Sequence, residues 1–167
     1  MQKNPHARYL RGGRQSEAMT TYAVTKCVEN RRPVLASKHA ASIILDCIDY
    51  MRSDDRMRQL AFCIMPDHVH LLLVLLDKCS LHDLVRDFCR FTARRLNALE
   101  SRRGEFWQDN FHDHRCRDEA DAIERLTYIE HNPVRAGLVK VAAEWPFSSA
   151  CPDNALRLDR EWYASVR

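Results

Sequence analysis

The 167-residue chain has only four glycines, Gly12, Gly13, Gly104 and Gly137. Neither a phosphate-cradling loop nor a dinucleotide-binding fingerprint can be written with them, so chemistry driven by a bound nucleotide has no support. Seven cysteines, at 27, 47, 63, 79, 89, 116 and 151, never fall into a Cys-x-x-Cys pair, which argues against a zinc ribbon or a thioredoxin-type centre. Their odd number and their placement in apolar segments (Cys47, Cys63, Cys89) fit reduced thiols packed as small hydrophobes. No apolar run approaches the ~20 residues of a membrane-spanning helix, and the basic N-terminus lacks the apolar stretch of a secretory signal. The expectation is a cytoplasmic protein with no membrane partner. Charge of one sign is also scarce: 26 Lys+Arg face 23 Asp+Glu, a net of +3. With 46% hydrophobic and 29% charged residues, the composition is that of one folded domain with a real core, and wholesale disorder is excluded.

Residues 1–20 hold Lys3, Arg8, Arg11 and Arg14 against Glu17 alone, with no hydrophobic period; they read as a flexible basic arm. A domain over 21–150 and a C-terminal extension over 151–167 follow. Thr20 to Thr25 is rich in strand formers and exits through Glu29-Asn30-Arg31-Arg32-Pro33. After Ser37, a helix N-cap, Ile44, Cys47, Ile48 and Met51 recur at helical spacing to about Asp54. Two apolar runs, Leu60 to Met65 and His68 to Leu76, flank Pro66-Asp67, a dipeptide suited to a tight turn, and so predict a hairpin. Ser80 to Asp83 resembles a capping box, followed by Leu84, Val85, Phe88 and Phe91 on one side of a helix and Arg86, Arg90 and Arg94 as a basic ridge on another. The alternation from Phe111 to Arg117 supplies a fourth strand. Asp118-Glu119 opens a third helix with Ala122, Ile123, Leu126 and Ile129 as its buried stripe, stopped at Asn132-Pro133. The order β-α-β-β-α-β-α predicts an α+β fold, a ferredoxin-like split βαβ sandwich with one central antiparallel sheet and helices mainly on one face.

Three side chains stand out chemically. His68 and His70 are two apart on a strand, so both imidazoles project to one side, about 6.5–7 Å apart at the backbone, and can converge on one divalent ion. The alternative is a pair of strand-end histidines hydrogen-bonded in a polar pocket. Polar residues on an otherwise buried strand cost free energy unless something pairs with them, which favours the clamp. On the third helix Tyr128 lies about 160° from Leu126 and about 100° from Ile129, off the apolar stripe, in one row with Glu124 and Asn132. It is either an exposed tyrosine or a functional phenol. A phenol titrates near ~10, so a nucleophilic role calls for a cation nearby.

The blocks Met65-Pro66-Asp67-His68-Val69-His70, Phe106-Trp107-Gln108, Phe111 to Arg115, Tyr128-Ile129-Glu130-His131-Asn132-Pro133-Val134-Arg135-Ala136-Gly137 and Trp145-Pro146-Phe147-Ser148-Ser149, in this order over residues 20–150, resemble the single-tyrosine HUH transposases, in the branch of REP-associated tyrosine transposases. The resemblance implies that His68 and His70 are paired metal ligands, that Asn132 adds a third polar ligand, and that Tyr128, on the helix following the sheet, is the nucleophile. It implies a divalent cofactor, Mg²⁺ or Mn²⁺. The activity it implies is cleavage and joining of single-stranded DNA through a 5′-phosphotyrosine intermediate, at hairpin-forming repeated extragenic palindromes. Such work belongs in the bacterial cytoplasm at the nucleoid. A non-catalytic hairpin-binding regulator of the same fold is the competing expectation. Arg86, Arg90, Arg94, Arg115 and Arg117 are the expected DNA contacts, with Trp107, Phe111 and His114 as stacking or structural aromatics. Monomer and homodimer are equally open.

Overall fold

The computed structural model describes residues 16–166; most of the expected N-terminal arm, residues 1–15, lies outside them. Four strands, β1 (Thr20–Cys27), β2 (Met57–Met65), β3 (His68–Leu75) and β4 (His112–Arg115), form one sheet in the order β2-β3-β1-β4. Every neighbouring pair is antiparallel, which gives the expected α+β, split βαβ arrangement. Helices α1 (Lys38–Ser53), α2 (Leu81–Leu99) and α3 (Glu119–Arg135) connect and follow the strands. Their starts are set by short polar side chains: Ser37 accepts from the Ala40 N–H at 3.1 Å, Ser80 from Asp83 at 3.0 Å and Asp118 from Asp121 at 2.9 Å, each satisfying an orphan donor of the first turn.

β3 is buried on both faces because both faces of the sheet are covered. Val69, Leu71, Leu73 and Leu75 pack with Val24, Phe62 and Ile64 beneath Ile44, Ile48, Leu84 and Phe88 of α1 and α2. Leu72 and Val74 pack on the other side with Ala61, Cys63, Ala122 and Ile129. Helix α3 therefore lies on the face opposite α1 and α2, where the sequence pattern suggested helices mainly on one side. A continuous apolar strand is what a doubly covered sheet demands.

Three expectations at the residue level change. Phe91 is 41% exposed, its ring beneath the Arg95 guanidinium at 5.2 Å. Ile123 is 56% exposed while Asp121 takes the buried position, because Asp121 is fully hydrogen-bonded and Ile123 falls on the outer side of α3. The helix also runs through Asn132-Pro133 to Arg135. A proline forfeits one N–H bond and disfavours helical backbone before it. Here the Asn132 amide donates to the Tyr128 carbonyl at 3.0 Å, and Ala136, Gly137 and Leu138 close on the carbonyls of Asn132, Val134 and Pro133.

The outer edge of β2 is covered by the C-terminal segment. Ile64 donates to the Phe147 carbonyl at 2.8 Å, Ser149 to that of Phe62 at 2.9 Å, and the Trp145 indole to that of Ile64 at 3.0 Å. A long apolar edge strand left open would invite pairing with another chain. Beyond it, α4 (Arg160–Ser165) follows Asp159, whose carboxylate receives both Arg52 and the Gln59 N–H.

Candidate functional site

The two histidines meet on the α3 face of β3. Register places Thr25 opposite His70 and Cys27 opposite His68 on β1. His68 Nε2 and His70 Nε2 lie 3.0 Å apart. Each far nitrogen is engaged: His68 Nδ1 with the Asp67 carboxylate at 2.6 Å, His70 Nδ1 with the Thr25 hydroxyl at 2.8 Å. Asp67 is held in turn by Arg31 Nε at 3.1 Å, whose Nη1 donates to Cys27 Sγ at 2.9 Å. Asn30 and Arg31 both adopt left-handed backbone, φ 56° and 53°, a conformation costing roughly 1 kcal/mol or more for a residue with a Cβ. These contacts offset that strain.

This arrangement controls protons. With Nδ1–H of His68 donated to Asp67, its Nε2 carries a lone pair directed at His70. Without a cation, His70 Nε2–H can fill the gap as a donor. With its proton on Nδ1, accepted by Thr25, both lone pairs face one point. Burial, reinforced by the neighbouring His68 and Arg31 and opposed by Asp67, pushes the His70 imidazole down to about 3, so it is neutral at pH 7. The spacing fits a metal: two cis ligands of an octahedral ion at about 2.1 Å are about 3.0 Å apart. The imidazole donors suit Mn²⁺ better than Mg²⁺, which prefers oxygen.

Tyr128 stands beside the pair, its ring centroid 6.0 Å from that of His70 and edge-on, with 40% of the residue exposed. Helix α3 is fixed beneath it. Ile129 is buried in the sheet contact, and Glu130 accepts from Ser149 Oγ at 2.8 Å and from Arg160, which also donates to the Leu60 carbonyl. Asn132 sits one turn beyond Tyr128 with its nitrogen donated to the Tyr128 carbonyl, which leaves oxygen as the end able to face a cation. Arg135, whose place depends on the helix continuing past Pro133, brings its guanidinium carbon to 4.8 Å from the centre of the Tyr128 ring.

The five arginines are not gathered at this face. Arg86, Arg90 and Arg115 line a groove of about 1580 Å³ on the α1/α2 side, with Lys26, Val85 and Phe111. Arg86 is paired with Asp83 and Asp87, Arg115 with Glu17, and Arg117 with Asp121. Arg90 and Arg94 have no ion pair among the described residues. Trp107 is core, 6% exposed, its indole donating to the buried Thr92 hydroxyl at 3.0 Å. His114 joins Cys116 and Asp121 in a cluster with metal-type donors. The Asp121 carboxylate there is already occupied by His114 Nε2, the Arg117 N–H and two guanidinium groups. Those bonds hold it well below the usual carboxylate range, the Arg117 N–H contributing most. This cluster reads as the hinge pin joining β4 to α3.

Thr25, Asp67, Arg31 and Arg135 were not singled out by sequence reasoning. Asp67 is legible as the neighbour of His68, whereas Thr25 and Arg31 need the strand register and the loop.

Known proteins share this frame. The family profile described as "Transposase IS200 like" matches residues 17–132. A protein of Haemophilus influenzae, described provisionally as a REP-associated tyrosine transposase, is 34% identical over 99 residues, covering 53% of this chain and 56% of its own length. The chain thus spans little more than half of that relative. The REP-associated tyrosine transposase of Escherichia coli is 26% identical over 147 residues, covering 88% of this chain and 82% of that one. The solved structure of a REP-associated tyrosine transposase bound to a REP hairpin superimposes with a TM-score of 0.69 at 24% identity, covering 87% and 85%. A Deinococcus radiodurans structure, provisionally a transposase, gives 0.51 at 22% identity, covering 72% and 96%.

Proposed function

The chain belongs to the IS200-like transposases, and from that premise we propose that it cleaves and rejoins single-stranded DNA at hairpin-forming repeated extragenic palindromes, with Tyr128 as nucleophile. The observation that carries this reading is the joint placement of the His68–His70 pair and the Tyr128 ring on one face, 6.0 Å apart at the nearer rings. His68 and His70 would hold Mn²⁺ or Mg²⁺, with the Asn132 oxygen as third ligand, and the bound ion supplies Lewis-acid activation of the scissile phosphate. Asp67 and Thr25 keep the imidazoles in the ligating tautomer. Tyr128 Oη attacks phosphorus, forming the phosphotyrosine bond as the P–O3′ bond breaks; the phenol gives up its proton and the 3′-oxygen takes one. The number of phosphoester bonds is unchanged, so no nucleotide fuel is needed, in keeping with a chain that has no phosphate loop.

The groove opposite is the hairpin surface in this reading. Arg90 brings to it a charge with no ion pair among the described residues, and Arg86 and Arg115 add charge that must first leave an acidic partner, while Arg94 and Arg117 lie outside its lining and would meet DNA beyond it. The test is incubation with labelled hairpin DNA and Mn²⁺, followed by denaturation. A covalent protein–DNA adduct that wild type forms and His68→Ala does not, at similar hairpin affinity, is the expected result. Tight hairpin binding with no adduct under any divalent ion identifies a regulator instead.

A further inference from the structure

We propose that Arg135 is a catalytic residue, the cation that accompanies Tyr128 through phosphoryl transfer and binds the scissile phosphate; this rests on the reading of Tyr128 as nucleophile. Because α3 does not end at Asn132-Pro133, Arg135 lies seven residues beyond Tyr128, about 20° short of two full turns. Tyr128, Asn132 and Arg135 therefore form one stripe along the side of α3 that meets His70. The guanidinium carbon stands 4.8 Å from the Tyr128 ring centre, within the range of a cation–π contact. The competing explanation is that Arg135 only complements the helix C-terminus, where positive charge is favoured. That role asks for charge alone, which lysine supplies equally. It does not account for a planar guanidinium over one particular phenol.

The distribution of charge supports the assignment. Arg135 has no ion pair among the described residues, and the Glu130 carboxylate of the same helix is committed to Arg160 and Ser149. A free cation next to a nucleophile that must shed a proton is what the chemistry of a phenol requires. As the phenolic proton leaves, the ring gains electron density, and as Oη bonds to phosphorus the non-bridging oxygens gain charge. Both changes strengthen attraction to a guanidinium whose planar fork can contact the ring and a phosphate oxygen together. No electrons change hands beyond the displacement itself: the Oη–P bond forms, P–O3′ breaks, the phenolic proton leaves to solvent and the 3′-oxygen takes one from it.

The experiment compares wild type, Arg135→Ala and Arg135→Lys in single-turnover adduct formation at saturating hairpin DNA with Mn²⁺, beside hairpin affinity and thermal melting. Arg135 is exposed, so folding and melting should be retained. Arg135→Ala should slow adduct formation by roughly 10²-fold with affinity little changed. Arg135→Lys should recover part of the rate, and millimolar guanidinium should speed Arg135→Ala without speeding wild type. An unchanged rate for Arg135→Ala overturns the proposal. So does a loss confined to affinity, or one relieved by neither lysine nor guanidinium. If wild type itself forms no adduct, the nucleophile reading fails first, and that outcome is distinct because it does not depend on position 135.

Discussion

Replacing Asp67 by Asn isolates what holds the histidine pair in its ligating state. The carboxylate accepts from His68 Nδ1 at 2.6 Å while paired to Arg31 Nε at 3.1 Å, and its side chain is 24% exposed. In Asp67→Asn the amide oxygen can still accept that proton, so the tautomer survives, but a charge-assisted bond of about 1.5–3 kcal/mol becomes a neutral one of about 0.5–1.5 kcal/mol. The difference, about 1–1.5 kcal/mol, corresponds to roughly a tenfold loss of divalent-ion affinity, at the low end of the 10–100-fold typical of such supporting groups. Thr25→Val goes further, because the buried His70 Nδ1–H then has no acceptor, at a cost of about 1–3 kcal/mol to the ligating form. Mn²⁺ titration followed calorimetrically, with urea unfolding as a control for stability, reads both. Asp67→Asn binding Mn²⁺ as tightly as wild type, while His68→Ala loses it, would refute the proposed role of this hydrogen-bond chain.

Arg90→Ala should weaken hairpin binding and lower its salt slope by about one, whereas Arg86→Ala, already neutralised by Asp83 and Asp87, should do less; affinity measured across a salt series separates them. Glu130→Ala, which frees α3 from Ser149 and Arg160, should cost about 1–2 kcal/mol, discounted for the partial exposure of Arg160 and read as a fall in urea midpoint. Because the native state holds the Asp121 carboxylate below its ordinary range, its contribution is complete above the unfolded carboxylate value near ~4 and declines as pH falls through the native one. Acid unfolding of Asp121→Asn should accordingly be shallower than that of wild type over that range, although the variant is less stable at neutral pH.

The hairpin, the shared face of His68 and His70 and the outward position of Tyr128 were legible because each depends on a local period of 2 or 3.6 residues and a turn dipeptide. What escaped depends on contacts distant in sequence. Thr25 and His70 are 45 residues apart, and Arg31 reaches Asp67 only through an irregular left-handed loop. Trp107 reads as an aromatic free to stack until Thr92, 15 residues earlier, supplies its buried partner. Asp121 and Ile123 exchanged their expected places because a carboxylate surrounded by donors can be buried, and no periodic pattern reports those donors. Pro133 misled for a related reason: the N–H it lacks serves one carbonyl of the ladder, that of Ile129, and Ala136, Gly137 and Leu138 close the following turn, so helix and Arg135 continue where backbone rules alone predict a stop.

On the proposed reading, one oxygen atom, Tyr128 Oη, separates an enzyme from a binder on this fold. Tyr128→Phe keeps the ring beside His70 and beneath Arg135, and with 40% of the residue exposed the lost hydroxyl should cost little stability. Adduct formation on labelled hairpin DNA with Mn²⁺ should vanish in Tyr128→Phe while melting temperature, Mn²⁺ affinity and hairpin affinity stay close to wild type, and peptide mapping of the wild-type adduct should place the DNA on Tyr128. A Tyr128→Phe protein that still forms the adduct, or a wild-type adduct mapping to Tyr22, Tyr50 or Tyr163, would contradict the account.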